Sequence, residues 1–180
     1  AVDDPVSLTV SILGRDELLD KPLGTPVFPT GNQLYTFIHG SLTLDGQAFD
    51  VKEFSLSGEN GLDDDRYFLG SQLRKKPVQA EILNFEGEIT TEFEDLATYQ
   101  KFLQGQEAEL KLTFDTGNTI ADTAHTYKTT ITMNVRFDGE TPTVDGAEVL
   151  EQSIAFKAID DGSGPASCIT VEVQTDEATP

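Results

Sequence analysis

The stretch "FEGEITTEFEDLATYQKFL", residues 85–103, changes its period halfway along. In the first half Phe85, Ile89, Thr91 and Phe93 fall on one face of an extended chain, and Glu86, Glu88, Thr90 and Glu92 on the other. A period of two is the mark of a half-buried strand. In the second half Leu96, Tyr99 and Leu103 stand three and four apart, the spacing of one helix face. Glu94 and Asp95 occupy the first turn, where the helix dipole favours anions, and Gly105 follows the last, where helices end in glycine. The spacing therefore predicts a strand followed by one short helix over 94–104.

Outward from this stretch the chain reads as strands. "VSLTVSI" (6–12) alternates Val6, Leu8, Val10 and Ile12 with Ser7, Thr9 and Ser11. Residues 14–33, rich in proline and glycine, read as an extended arm. In the next run Asp45-Gly46 separates two alternating stretches. That pair marks a two-residue hairpin, whose favoured turn needs positive φ at both positions. "VQAEILNFEGEITTEF", "AELKLTFD" and "HTYKTTITMNVRFD" follow, the last with Tyr127, Thr129, Ile131, Met133, Val135 and Phe137 on one face. "EQSIAFKAI" and "CITVEVQ" complete the sheet, with Ile154, Phe156, Ala158 and then Ile169, Val171 and Val173 expected inward. The fold class expected is all-β: an antiparallel β-sandwich or barrel of seven to nine strands, with one short flanking α-helix and a long inter-strand loop. The expected organisation is an N-terminal strand and arm (1–33), a β-sandwich domain (34–176) and a C-terminal tail (177–180).

That loop, "SGENGLDDDRYFLGSQLRKKP" (57–77), is far longer than the usual ~4–6 residues between elements of a compact domain. An acidic run, Asp63, Asp64 and Asp65, precedes the apolar residues Tyr67, Phe68, Leu69 and Leu73 and the bases Arg74, Lys75 and Lys76. A loop of this kind carries a function or is disordered, and its aromatic pair favours function.

Acids outnumber bases 32 to 12, a formal charge of −20. Such a surface repels phosphate instead of clustering cations around it, so nucleic acid is not wrapped but can pass by. One cysteine, Cys168, allows no intrachain disulfide and reads as a packed core residue. No apolar run approaches the ~18 residues of a membrane span, and "AVDDPVSLTV" lacks the basic region and continuous apolar core of a secretory signal. His39 and His125 stand apart from any nucleophile or metal spacing and read as structural. "GLDDDRYFLG" lacks the oxygen spacing and closing glutamate of a calcium loop. No catalytic constellation, metal site or cofactor motif emerges, and the chain is expected not to be an enzyme.

The order of these features resembles the siphophage tail tube proteins, also called major tail proteins. In that family a strand of gly–x–ile/val character runs into phe–x–asp and a short helix with a central tyrosine. The matching positions are Gly87-Glu88-Ile89, Phe93-Glu94-Asp95 and Tyr99, and the closing strand matches at Ser153, Phe156 and Ala158. The resemblance covers about residues 34–174. It implies a structural virion protein without enzymatic activity or cofactor, made in the host cytoplasm. Copies of the chain would form rings stacked into a tube, with tape-measure and terminator or tip proteins as partners. DNA would pass through the lumen during ejection without specific binding, and no membrane would be involved. On this reading Glu86, Glu88 and Glu92 are candidates to face the lumen, and the loop residues Asp63 to Lys76 named above are candidates to join subunits. The alternative is a monomeric immunoglobulin-like or carbohydrate-binding β-sandwich. It calls for an exposed aromatic platform, and the chain has no Trp and four Tyr.

Overall fold

The computed structural model describes residues 4–14, 20–22, 24, 25, 34–63, 65–92, 105–138, 151–160, 162 and 168–176. The helix expected over 94–104 lies outside the described residues, as does Asp64. The described elements are a 3₁₀ turn (Phe37–His39) and ten strands: β1 (Gly40–Leu44), β2 (Gln47–Phe49), β3 (Glu53–Glu59), β4 (Leu62–Asp63), β5 (Val78–Gln79), β6 (Asn84–Glu92), β7 (Glu107–Thr119), β8 (Thr126–Phe137), β9 (Glu151–Ala158) and β10 (Ile169–Gln174). Every pairing is antiparallel, in line with the all-β expectation.

Eight strands form one sheet in the order β2-β1-β7-β8-β9-β6-β3, with β10 branching from β8. The branch point explains the shape. On one edge of β8, residues 128–133 pair with β10, and residues 135–137 pair with β9. β8 thus belongs to two half-sheets that part near Asn134. The ends of the strand path, β2 and β3, are joined by Asp50–Lys52 alone, so the sheet curls until its two ends meet. The Asp45-Gly46 turn has the positive φ angles expected of it, 50° and 75°.

Curling encloses a single core. Leu42 and Leu44 of β1, Ala108, Leu110 and Leu112 of β7, Met133, Val135 and Phe137 of β8, Ile154, Phe156 and Ala158 of β9 and Ile89 of β6 all point into it, with Cys168. Each is an alternate residue of its strand, so the period of two places the whole apolar set inside. Burying one such aliphatic side chain stabilises by about 1.5–3 kcal/mol, and the fully buried ones, Ile89, Leu110, Met133, Val135 and Ile154, lie on β6 to β9.

Three sequence expectations are corrected here. Residues 6–12 are not a strand of the sheet; Pro5 bridges Thr36, Val6 N–H donates to Tyr35 O at 2.8 Å, and the whole segment is exposed. Val171 and Val173 lie on the inward side of β10 but are exposed, with no described strand beyond β10 on that margin of the sheet. The single run 78–93 is divided. Ala80 and Glu81 N–H both donate to Gly61 O, which turns the chain out of β5 before β6 begins at Asn84.

Candidate assembly surfaces

The outward face of β3, β6 and β9 follows from the same alternation that builds the core. Glu53, Ser55, Ser57 and Glu59 point outward from β3; Asn84, Glu86, Glu88, Thr90 and Glu92 from β6; Glu151, Ser153, Ala155 and Lys157 from β9. The register lays them in rows: Ser57–Glu86–Lys157, Ser55–Glu88–Ala155, Glu53–Thr90–Ser153 and then Glu92–Glu151. The three expected glutamates therefore share one face, carboxylates of a broader patch that has no large apolar side chain. Ser153 Oγ hydrogen-bonds Glu88 Oε1. Glu92 and Glu151 are directly paired like charges, normally destabilising. Lys52 offsets this by reaching Glu92 at 2.7 Å and Glu151 at 2.6 Å. These hydrogen bonds, first to Glu151 and then to Glu92, raise the Lys52 pKa. Lys52, Glu53, Glu59 and Glu151 escaped sequence reasoning: alternation shows each strand's two faces but not which strands lie side by side.

The long loop is more structured than its composition implied. Leu62 pairs with Gln79 and Asp63 with Val78, closing a two-stranded neck. Beyond it lies an aromatic and basic cluster. The Arg74 guanidinium lies 5.3 Å from the Tyr67 ring centre and its Nε donates to the Tyr67 hydroxyl; Arg66 and Lys75 each stand 5.7 Å from the Phe68 ring. Arg66 also donates to Lys76 O at 2.8 Å, and Lys75 N–H to Arg66 O at 3.0 Å. Asp65 N–H donates to the Asp63 carboxylate. Tyr67, Phe68, Leu69 and Leu73 nevertheless remain exposed. The loop thus brings together the expected anchors and bases, adds Arg66, and presents them on the surface. Arg66, Arg74, Lys75 and Lys76 are four of the chain's 12 basic residues.

The residues set aside as structural have structural surroundings. His39 Nδ1 accepts from Thr36 N–H at 3.0 Å, stapling the 3₁₀ turn. His125 closes the turn before β8 through Ile120 and Thr123. Cys168 packs in the core. Among the described residues no group of three or more His, Cys, Asp or Glu is placed to hold a metal ion, and no helix is long and apolar enough to cross a membrane.

A family model described as phage tail tube protein matches residues 1–158. No curated protein is a significant match. Among solved structures, the chain superposes on one from the sheath–tube complex of the PVC extracellular contractile injection system in the extended state, with TM-score 0.52, 10% identity, and coverage of 76% of this chain and 89% of that one. A chain from the sheath/tube terminator of that system gives 0.52 at 11%, covering 84% and 100%. A chain from the anti-feeding prophage cap, the tube-terminating cap, gives 0.50 at 13%, covering 86% and 97%. At such identities the likeness is one of fold.

Proposed function

This chain belongs to the phage tail tube protein family, and from that premise we propose that it polymerises as closed rings that stack into a tube and form the conduit for DNA ejection. The observation that carries the proposal is the outward face of β3, β6 and β9. Among the described residues six glutamates, Glu53, Glu59, Glu86, Glu88, Glu92 and Glu151, stand there with Ser and Thr, against Lys52 and Lys157. A monomer gains little from so concentrated an acidic wall. A water-filled channel gains a surface that repels phosphate and lets DNA slide. We assign this face to the lumen, with Glu86, Glu88 and Glu92 at its centre.

The loop between β4 and β5 supplies the joint between neighbouring subunits or successive rings. Its exposed Tyr67, Phe68 and Leu69 offer apolar anchors, and its bases meet an otherwise strongly acidic protein. The polymer needs no cofactor and performs no catalysis. Its partners are further copies of itself, with tape-measure and terminator or tip proteins inside and at the ends. The resemblance sets the expected ring symmetry at six-fold or pseudo-six-fold. Sedimentation and negative-stain microscopy of the purified protein test the polymer: rings or tubes are expected, and a monomer at high concentration in moderate salt contradicts it.

A further inference from the structure

Two parts of the subunit are left open, and they match. The first is the segment 6–12. Leu8 and Ile12 are each 87% exposed, and Val6 and Val10 are exposed with them. These four alternate with Ser7, Thr9 and Ser11, so the segment has the two faces of a strand without a sheet to sit in. No ionisable residue occurs between Asp4 and Arg15, an unusual interval in a chain of charge −20.

The second is the outer margin of β10. A cross-strand row runs Leu42, Leu112, Ile131, Val171 over β1, β7, β8 and β10. Its first two members are buried, Ile131 is half-buried, and Val171 is 55% exposed. The next row, Phe114, Thr129, Val173, ends with Val173 at 63%. Burial fades strand by strand toward an edge whose apolar side chains have no further strand beside them among the described residues. Phe49 on β2 and Phe54 and Leu56 on β3 are instead packed against the core.

We propose that residues 6–12 of one subunit add as a strand to the β10 edge of a neighbouring copy. Val6, Leu8, Val10 and Ile12 then extend the apolar rows that end at Val171 and Val173. Strand addition satisfies the edge's backbone groups while alternate side chains fill the open margin. The lengths agree: seven residues against the six of β10. The opposite face of β10 carries Thr170, Glu172 and Gln174, and the segment meets it with neutral hydroxyls, so no like charge opposes Glu172. The arm starts near its own patch, since Tyr35, which anchors Val6, hydrogen-bonds Thr129 Oγ1 at 3.2 Å and Thr129 pairs with Val173. It still stands off that patch with Leu8 and Ile12 bare, so the occupant is assigned to the neighbour.

The inference rests on the reading of the chain as a polymer subunit, and the test separates the two. Leu8→Cys and Val173→Cys are made in separate chains, each with Cys168→Ala, mixed before assembly, and treated with a short bifunctional maleimide. Microscopy checks for tubes in the same sample. Tubes containing a covalent dimer, enriched about tenfold or more over either variant alone, are expected. Tubes without it overturn the strand addition and leave the function standing. An internal cross-link in dilute chains carrying both cysteines overturns it in favour of closure within one subunit, and failure of the unaltered chain to form any assembly overturns both readings. Leu8→Lys with Ile12→Lys should raise the concentration needed for assembly about a hundredfold or more, as burial of two aliphatic side chains implies. Because both residues are exposed in the subunit, its unfolding midpoint should not move. Assembly at the unaltered concentration also overturns the proposal.

Discussion

Gly87 stands between Leu56 of β3 and Phe156 of β9, on the inward side of β6. A Cβ there would lie 2.2 Å from Ser55 O and 2.5 Å from the tip of the Phe156 ring, which stacks on Phe54 at 5.8 Å. The absent side chain is what lets the ring cross β6. Gly87→Ala should cost about 1–3 kcal/mol by overpacking, visible as a lower urea midpoint with an unchanged slope. Asp115 acts at the far end of the β7–β8 hairpin, where the ladder shifts register. Gly117 N–H at 2.8 Å and the Thr126 hydroxyl at 3.0 Å donate to its carboxylate and hold its pKa below the usual value, the backbone bond contributing most. A depressed folded pKa gives stability that is complete above the unfolded pKa and is lost as pH falls through the folded one. The difference in stability between the wild type and Asp115→Asn should therefore shrink on acidification through that range; a pH-independent difference would refute the linkage. At this scale the sequence was most readable. Inward residues of β7, β8 and β9 and the Asp45-Gly46 turn follow from period and turn chemistry alone. The need for glycine at 87 does not, because Phe156 is 69 residues away in the chain.

At the scale of elements, β7, β8 and β9 were legible because each offers eight or more residues of unbroken alternation. β4 and β5 were not, since two residues make no period and their pairing depends on Gly61 turning against Glu81. Residues 6–12 show the converse: a strand pattern was present, but a pattern cannot supply a partner. The margin of β10 failed for the same reason, since alternation orients Val171 and Val173 without showing what covers them. The loop beyond β4 carries its own prediction. If it joins subunits, hydrogen exchange over 60–76 should be slower in the tube than in the subunit, and equal fast exchange in both would count against the joint. Removing the segment between Asp63 and Val78 should leave folded subunits that do not polymerise, because the core lies on other strands. Normal tubes from that variant would assign the joint elsewhere.

Over the whole molecule, a charge of −20 is distributed with a pattern: glutamates gather on the β3–β6–β9 face, while four bases gather on one loop. Composition alone argued for a surface along which DNA slides, and the sheet register shows that Glu86, Glu88 and Glu92 share one wall with Glu53, Glu59 and Glu151. If this face lines the lumen, changing the first three to Lys should leave ring formation intact and slow DNA release from virions, since each new cation would attract phosphate where a carboxylate would repel it. Whether a face meets water or DNA is a property of the assembly, which no subunit sequence spells out. A cryo-EM reconstruction of the assembled protein would show whether this acidic face lines the tube. The expected result is a tube whose lumen is walled by the outward face of β3, β6 and β9, with Glu86, Glu88 and Glu92 pointing to the axis. A tube that carries those three glutamates on its outer surface would contradict it.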